Sequence, residues 1–130
     1  MGNKGLLVMI DDDTDDHEIL KMAVEELDRP IQCQFFPDCE SAIAHFSENV
    51  AVTPGYVLID LKLPRIDGDQ CLEQLQKLRR FDNPQIVIYS SSIPDDWRLR
   101  LSQIGVDHFV QKTESLPVLI NSIQEIISNS

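Results

Sequence analysis

Five short apolar runs alternate along the chain with longer segments in which apolar residues recur at helical spacing. Several of the runs are rich in Val and Ile, which favour strands. Because their apolar residues are continuous rather than alternating, the runs predict strands that are buried on both faces of a sheet. The predicted strands are Leu6–Ile10, Ile31–Phe36, Tyr56–Ile59, Ile86–Tyr89 and His108–Val110.

Each predicted strand precedes a segment whose apolar residues are typical of a helix with one buried face. These residues are Ile19, Ala23 and Leu27, then Ala42, Ile43 and Phe46, then Leu72, Leu75 and Leu78, then Trp97, Leu101 and Ile104, and finally Ile120, Ile123 and Ile127. Gly105 stands where a glycine commonly ends a helix. Five strand–helix units predict an α/β fold with a parallel sheet between two layers of helices. For a chain this short, we expect the flavodoxin-like, doubly wound (βα)5 arrangement with strand order 2-1-3-4-5.

The length and composition limit the organisation of the protein. A chain of 130 residues predicts a single domain, residues 1–130, with no room for an output domain. No apolar run approaches the roughly 18–20 residues of a membrane helix, and the first apolar run is too short for a signal peptide. The three cysteines, Cys33, Cys39 and Cys71, lack zinc-site spacing. We therefore expect a cytoplasmic protein with reduced, unreactive thiols.

The charge is strongly negative and unevenly distributed. Eleven basic and 22 acidic residues give a formal net charge of −11. Nine acidic and two basic residues lie within residues 1–28, so that this stretch carries −7 of the total. Such a surface disfavours nucleic-acid binding, because it repels the phosphate backbone. The concentration of acids around residues 11–16 needs a separate explanation.

Polar side chains follow the predicted strands at the edge where such sheets bind ligands. Asp11 and Asp12 follow the first strand, Asp60 the third, Ser90 the fourth and Lys112 the fifth. Three carboxylates at one edge repel one another unless a cation lies between them. Hard oxygen ligands in a small site favour Mg²⁺. The sequence therefore predicts a magnesium site at this edge.

The acidic stretch also matches parts of two other motifs. Asp11, Asp13 and Asp15 fit the start of a calcium-binding EF-hand loop. Asp16 and Met22 stand where that loop requires Gly and Glu, so the pattern fails. The pattern of haloacid-dehalogenase-like phosphatases also fits poorly, since Asp15 takes the place of Thr or Val. For Asp13, Asp15 and Asp16, the simplest role is to cap the first helix and to complement its dipole.

Five motifs in order give the chain a resemblance to a known family over almost its whole length. They are Val8-Met9-Ile10-Asp11-Asp12, Leu58-Ile59-Asp60-Leu61-Lys62-Leu63-Pro64, Asp67-Gly68, Ile88-Tyr89-Ser90-Ser91 and Phe109-Val110-Gln111-Lys112. With them, the chain resembles the receiver domains of two-component response regulators. Each motif alone is weak, but all five occur in the expected order at the ends of predicted strands.

The resemblance implies a role for each matching residue. Asp60 would accept a phosphoryl group. Asp12 and Asp60 would bind Mg²⁺ through their carboxylates, Asp11 would help through a water molecule, and Lys62 would contribute its backbone carbonyl. Lys112, Ser90 and the backbone N–H of Ser91 would contact the phosphoryl oxygens. Ser90 and the aromatic ring of Phe109 would form the switch, which we expect to act on the fourth helix and its flanking loops.

The chain departs from the family in a few places. Many receivers have a proline after the conserved lysine, with a cis peptide bond, whereas Thr113 follows Lys112 here. A non-proline cis bond costs about 3–4 kcal/mol, so a trans bond is expected. Leu119 and Ile126 lie beside the predicted core face of the last helix. We expect them to form an apolar edge for a partner or for a second copy of the chain, which makes a homodimer one option.

The sequence is compatible with three functions. The first is a stand-alone receiver that accepts a phosphoryl group from a histidine kinase or a phosphotransfer protein. It would signal by phosphorylation-dependent binding to another protein or by phosphorelay. The second is a receiver-like module that takes no phosphate, which the presence of Asp60, Ser90 and Lys112 disfavours. The third is a small Mg²⁺-dependent phosphohydrolase, which the absence of any pocket-forming insertion disfavours.

Overall fold

Strands and helices alternate along the chain as predicted. In the computed structural model, which describes residues 3–48 and 51–129, the strands are β1 (Asn3–Ile10), β2 (Gln32–Phe36), β3 (Pro54–Ile59), β4 (Gln85–Ser90) and β5 (His108–Gln111). The helices are α1 (Thr14–Glu25), α2 (Cys39–Phe46), α3 (Gly68–Leu75), α4 (Asp95–Gln103) and α5 (Leu116–Ser128). The strands form one parallel sheet in the order β2-β1-β3-β4-β5, which confirms the predicted topology.

Helices cover both faces of the sheet. On one face, Val8, Ile10 and their neighbours on β3 and β4 pack against α2, α3 and α4. On the other face, Leu7 and Met9 pack against α1 and α5, together with Tyr56, Leu58 and Tyr89. Successive strand residues point to opposite faces, so a sheet with two buried faces needs apolar residues at nearly every position. This explains the continuous apolar runs in β1, β3 and β4.

The helices are shorter than the sequence pattern suggested. Leu27, Leu78 and Ile104 lie beyond the ends of α1, α3 and α4, although all three still pack against the core. After α4, Gly105 has a φ of +109°, which confirms the predicted helix-ending glycine. No helix in the described part of the chain is both long and apolar enough to span a membrane.

The prediction of an apolar edge at Leu119 and Ile126 is wrong. Leu119 is fully buried and Ile126 is 7% exposed, because α5 turns both side chains into the core that it shares with α1. Val118, which is 51% exposed, is the large apolar residue that α5 presents to solvent. The two residues that suggested a docking edge therefore stabilise the domain itself.

The cysteines also differ from expectation. Cys39 at the start of α2 and Cys71 in α3 form a disulfide across 32 residues of sequence. Both side chains are fully buried in the core. Because the two sulfurs are bonded to each other, the expectation of reduced thiols is wrong for this pair. Cys33 is a free thiol, and burial raises its pKa to about 11, which fits the prediction that it is unreactive.

Close packing places the end of β3 against the start of α3. A Cβ atom at Gly68 would collide with the backbone carbonyl oxygen of Asp60, so this position requires glycine. The backbone N–H of Gly68 also donates to the carbonyl of Leu61 at 2.8 Å. The start of α3 therefore lies directly against the strand end that carries Asp60.

Candidate functional site at the carboxyl edge of the sheet

The register of the strands brings the predicted site residues together. Ile10 pairs with Ile59, so Asp11 and Asp60, which follow them, leave the sheet side by side. The backbone N–H of Asp60 donates to the carbonyl of Ile10 at 3.1 Å. At the other side of the site, the N–H of Lys112 donates to the carbonyl of Ser90 at 2.9 Å. Backbone pairing therefore continues past the strands and holds the site residues in place.

Three carboxylates form a cluster at this edge. Asp11, Asp12 and Asp60 each offer a carboxylate oxygen, and these oxygens all lie within 4.8 Å of one another. Asp11 and Asp60 are buried, whereas Asp12 is exposed. Three carboxylate oxygens this close together, two of them from buried residues, suit a hard divalent cation such as Mg²⁺.

The ammonium group of Lys112 lies among carboxylates. Its Nζ is 2.8 Å from Oδ2 of Asp60 and 3.0 Å from Oδ2 of Asp11, as the prediction of a lysine at this edge requires. It is also 2.5 Å from Oδ2 of Asp16, in the first turn of α1. Asp16 was expected only to complement the dipole of the first helix, so its ion pair with Lys112 was not predicted. By contrast, Asp13 caps α1 as predicted, since its Oδ1 accepts from the N–H of Asp15 at 2.9 Å.

The Asp60 carboxylate is held in a defined orientation. Its Oδ1 accepts from the backbone N–H of Lys62 at 3.1 Å and from the Ser90 hydroxyl at 3.2 Å. Its Oδ2 accepts from the Lys112 ammonium at 2.8 Å. Ser91 is exposed next to Ser90, and the Lys62 side chain is exposed at the rim. All the side chains of the predicted catalytic set thus lie at this edge.

Burial and neighbouring charges shift the pKa values of Asp11 and Lys112 in opposite directions. Burial raises the pKa of Asp11 to about 7, although the N–H of Asp13 and the Lys112 ammonium both lower it. For Lys112, burial alone lowers the pKa, but hydrogen bonds to Asp16, Asp60 and Asp11 outweigh burial and raise its pKa above the ordinary value. The site therefore holds a charged lysine and a carboxyl group that binds a proton readily in the absence of a metal.

This carboxyl group predicts how stability depends on pH. A proton on Asp11 stabilises the fold fully below the ordinary pKa of about 4, and this contribution is lost as pH rises through about 7. We therefore expect the Tm in EDTA to be lower at pH 8 than at pH 5. Mg²⁺ should raise the Tm more at pH 8, where no proton competes for the carboxylate.

Thermal melts with EDTA and with Mg²⁺ at the two pH values measure both effects. Asp11→Asn removes the titrating carboxylate and should flatten the dependence on pH. An equal Mg²⁺-induced rise in Tm at pH 5 and pH 8 would contradict the expectation.

The predicted switch residues differ in their surroundings. Ser90 contacts Asp60 directly, as described above. Phe109 is half-buried in β5 and packs at the edge of the core, with the guanidinium of Arg98 from α4 5.1 Å from its ring centre. Also in α4, Arg100 lies 4.7 Å from the ring centre of Trp97 and pairs with the buried Asp69 of α3. The rotamer switch at Phe109 stays a prediction.

Two further residues at the site were not found from the sequence. The Nε2–H of His17 donates to the carbonyl of Asp11 at 2.6 Å, and its ring stacks on Phe35 at 5.0 Å between centres. The Lys112 ammonium lies 5.8 Å from the ring centre of Tyr89, and burial raises the pKa of the Tyr89 phenol to about 12. Tyr89 looked like an ordinary strand residue, and His17 carried no motif.

The peptide bond after Lys112 is trans, as expected for Thr113. No cis peptide bond occurs in residues 3–48 and 51–129. With Thr113 in place of the usual proline, the Lys112 ammonium still lies within hydrogen-bonding distance of Asp60.

The fold and the site together define an α/β protein with an acidic, lysine-containing site at the carboxyl edge of a parallel sheet. The model of the response regulator receiver domain matches residues 7–124, so the chain belongs to this family. Receiver domains of two-component response regulators take a phosphoryl group on an aspartate, generally from a histidine kinase, and bind Mg²⁺ at an acidic cluster.

Known proteins of the family resemble this chain in sequence and in fold. The sensory transduction protein BceR of Halalkalibacterium halodurans is 30% identical over 115 residues, which are 87% of this chain and 47% of BceR. The chain spans about half the length, or less, of several curated relatives that it matches.

Solved structures share the fold. The phosphorylated cyanobacterial phytochrome response regulator RcpA has a TM-score of 0.80 and 22% identity, with coverage of 94% of this chain and 90% of that one. The Mn(2+)-bound form of response regulator Rcp1 has a TM-score of 0.79 and 19% identity, with coverage of 95% and 92%.

Proposed function

We propose that this domain is a phosphorylatable receiver in which Asp60 is the phosphoryl acceptor. The observation that carries the proposal is the set of contacts around one carboxylate. Ser90 and the Lys62 N–H hold Oδ1 of Asp60, and Lys112 holds Oδ2. A carboxylate can act as a nucleophile towards phosphorus and form an acyl phosphate. The oxygen of Asp60 attacks the phosphorus of the donor, and the bond from phosphorus to the leaving group breaks.

Phosphoryl transfer demands alignment and charge neutralisation more than covalent chemistry from a protein. Lys112 supplies a cation within hydrogen-bonding distance of Asp60, and the Ser90 hydroxyl is available as a donor. The backbone N–H of Ser91 would be a further donor to the phosphoryl oxygens. These groups would contact the phosphoryl group once it is bound. The contacts that favour transfer would therefore also distinguish the phosphorylated from the unphosphorylated protein.

We propose that Mg²⁺ is required. Asp11, Asp12 and Asp60 would hold the ion, with the Lys62 backbone carbonyl as a further ligand. The proximity of the three carboxylates, two of which are buried, supports this assignment. When bound, the ion neutralises the charge of the carboxylates and of the incoming phosphoryl oxygens. In the related fold of Rcp1, a Mn(2+)-bound form has been solved.

The proposed output is a change in protein binding or a relay of the phosphoryl group. The donor would be a sensor histidine kinase or a phosphotransfer protein, and the receiving partner would be another protein. Contacts of Ser90 and Phe109 with α4 and its loops would carry the change, by shifting a population between two states. The acidic surface gives no support to a nucleic-acid partner. The cytoplasmic location and the single-domain organisation stay predictions.

Intact-mass analysis tests the proposal. Incubated with acetyl phosphate and Mg²⁺, the protein should gain the mass of one phosphoryl group, and a matched sample in EDTA should not. The adduct should be lost in mild base, as expected of an acyl phosphate. Failure of the Mg²⁺ sample to gain mass, at a Mg²⁺ concentration that raises the Tm, would contradict the proposal.

A further inference from the structure

The ammonium group of Lys112 has more carboxylate partners than its role at Asp60 requires. A lysine ammonium has three N–H donors. Oxygens of Asp16, Asp60 and Asp11 lie 2.5, 2.8 and 3.0 Å from the Nζ atom. Asp60 and Asp11 come from strand ends, whereas Asp16 comes from α1. Asp16 has the shortest of the three distances, although it is not part of the carboxylate cluster that could hold a metal ion.

Several contacts hold the first turn of α1, which contains Asp16, against the sheet. His17, the next residue, donates to the carbonyl of Asp11 at 2.6 Å and stacks on Phe35 of β2. The N–H of Asp16 donates to the carbonyl of Asp13 at 3.1 Å. Farther along the helix, Leu20 is fully buried against the sheet. The carboxylate of Asp16 is itself only 13% exposed.

We propose that Asp16 is a positioning residue that holds the Lys112 ammonium in place for phosphoryl transfer to Asp60. This inference rests on the proposed function and adds a residue to the same site. A lysine side chain has many rotamers, and ordering it during the reaction costs conformational entropy. The contact with α1 orders the side chain before the phosphoryl donor arrives. When the transferred oxygens take the place of the Asp60 carboxylate as partner, Asp16 keeps the ammonium beside them.

Charge by itself does not explain the arrangement. Asp15 adjoins Asp16 and carries the same charge, but its side chain is exposed and forms no ion pair with Lys112 in residues 3–48 and 51–129. Asp15→Asn therefore removes the same charge from the same helix turn without removing the ion pair. It is the matched control for Asp16→Asn.

Phosphorylation kinetics with acetyl phosphate and saturating Mg²⁺ give the first test. Asp16→Asn should lower the maximal rate of adduct formation about tenfold, because an unheld lysine spends less time in the reactive geometry. Asp15→Asn should change the rate by less than about twofold, since an exposed charge is screened by salt. Asp16→Glu keeps the carboxylate on a longer stem and should recover part of the lost rate.

NMR detection of lysine ammonium groups gives a second test that needs no phosphoryl donor. An ammonium held by three carboxylates exchanges its protons slowly enough to be seen. The Lys112 signal should be present in the wild type and in Asp15→Asn, broadened or lost in Asp16→Asn, and restored in Asp16→Glu. Assignment is made with Lys112→Met, in which the signal disappears.

The two tests separate this inference from the proposed function. If the wild type forms no adduct, the proposed function fails, and the ammonium signals still decide whether Asp16 holds Lys112. If the wild type reacts, equal rates in Asp16→Asn and Asp15→Asn would overturn the inference. An unchanged Lys112 signal in a folded Asp16→Asn protein would also overturn it.

Discussion

Asp60→Asn is expected to abolish the phosphoryl adduct. The amide oxygen can still accept from Ser90 and from the Lys62 N–H, so the geometry around Oδ1 is kept. An amide is not a nucleophile towards phosphorus, however, and the acyl phosphate cannot form. Incubation with acetyl phosphate and Mg²⁺, followed by intact-mass analysis, measures the loss.

Asp67→Asn is the matched control for this substitution. Asp67 is an exposed carboxylate at the start of α3 and makes no side-chain capping hydrogen bond. The Asp67→Asn variant should form the adduct like the wild type. In metal-free buffer, Asp60→Asn should also raise the Tm, because it removes one of the carboxylates that repel each other at this edge. A full adduct on Asp60→Asn would show that another residue accepts the phosphoryl group.

Lys112→Met is expected to cause the largest loss of stability of any substitution at the site. The change keeps an apolar stem beside Tyr89 but removes the cation that faces Asp11, Asp16 and Asp60. Breaking a buried ion pair by removing one partner costs about 3–5 kcal/mol of the free energy of unfolding. Since Lys112 is 16% exposed and Asp11 only 1% exposed, solvent screens these charges little.

Urea unfolding with EDTA and with Mg²⁺ measures this cost. Lys112 lowers the pKa of Asp11, so Asp11 would bind a proton more readily without the lysine, and the loss should be larger at pH 8 than at pH 5. Mg²⁺ should recover part of the stability by replacing the missing positive charge. Lys21→Ala, which removes an exposed lysine of α1, should change the free energy of unfolding by less than about 0.5 kcal/mol. Equal stability of Lys112→Met and Lys21→Ala would contradict the expectation.

The part of the site that follows strand ends was predictable from the sequence. Asp11 and Asp60 each stand directly after an apolar run, and parallel strands bring their carboxyl ends to one edge. Ser90 and Lys112 follow by the same reasoning. The prediction needed only the strand boundaries and the order of the strands, which local apolar runs and the alternation with helices indicate.

The contacts that depend on the rotation of a helix were not predictable. Asp16 and Lys112 are 96 residues apart, and their ion pair depends on how α1 is rolled on the sheet. Leu119 and Ile126 were assigned to the wrong face of α5, because the apolar stripe of that helix is wide enough to allow more than one roll. The residues that a helix side chain contacts are decided only when the helix packs against its neighbours and one of its faces is buried.

The amino-acid pattern was sufficient to predict the five-stranded parallel fold, the family resemblance and the strand-end cluster of carboxylates, since these follow from local periodicity and chain order. Packing in three dimensions added the Cys39–Cys71 disulfide, the third carboxylate partner of Lys112 and the buried face of α5. Each of these additions joins residues that are distant in sequence or depends on the roll of a helix. Their geometry arises from the simultaneous packing of both helix layers on the sheet, which no local pattern encodes.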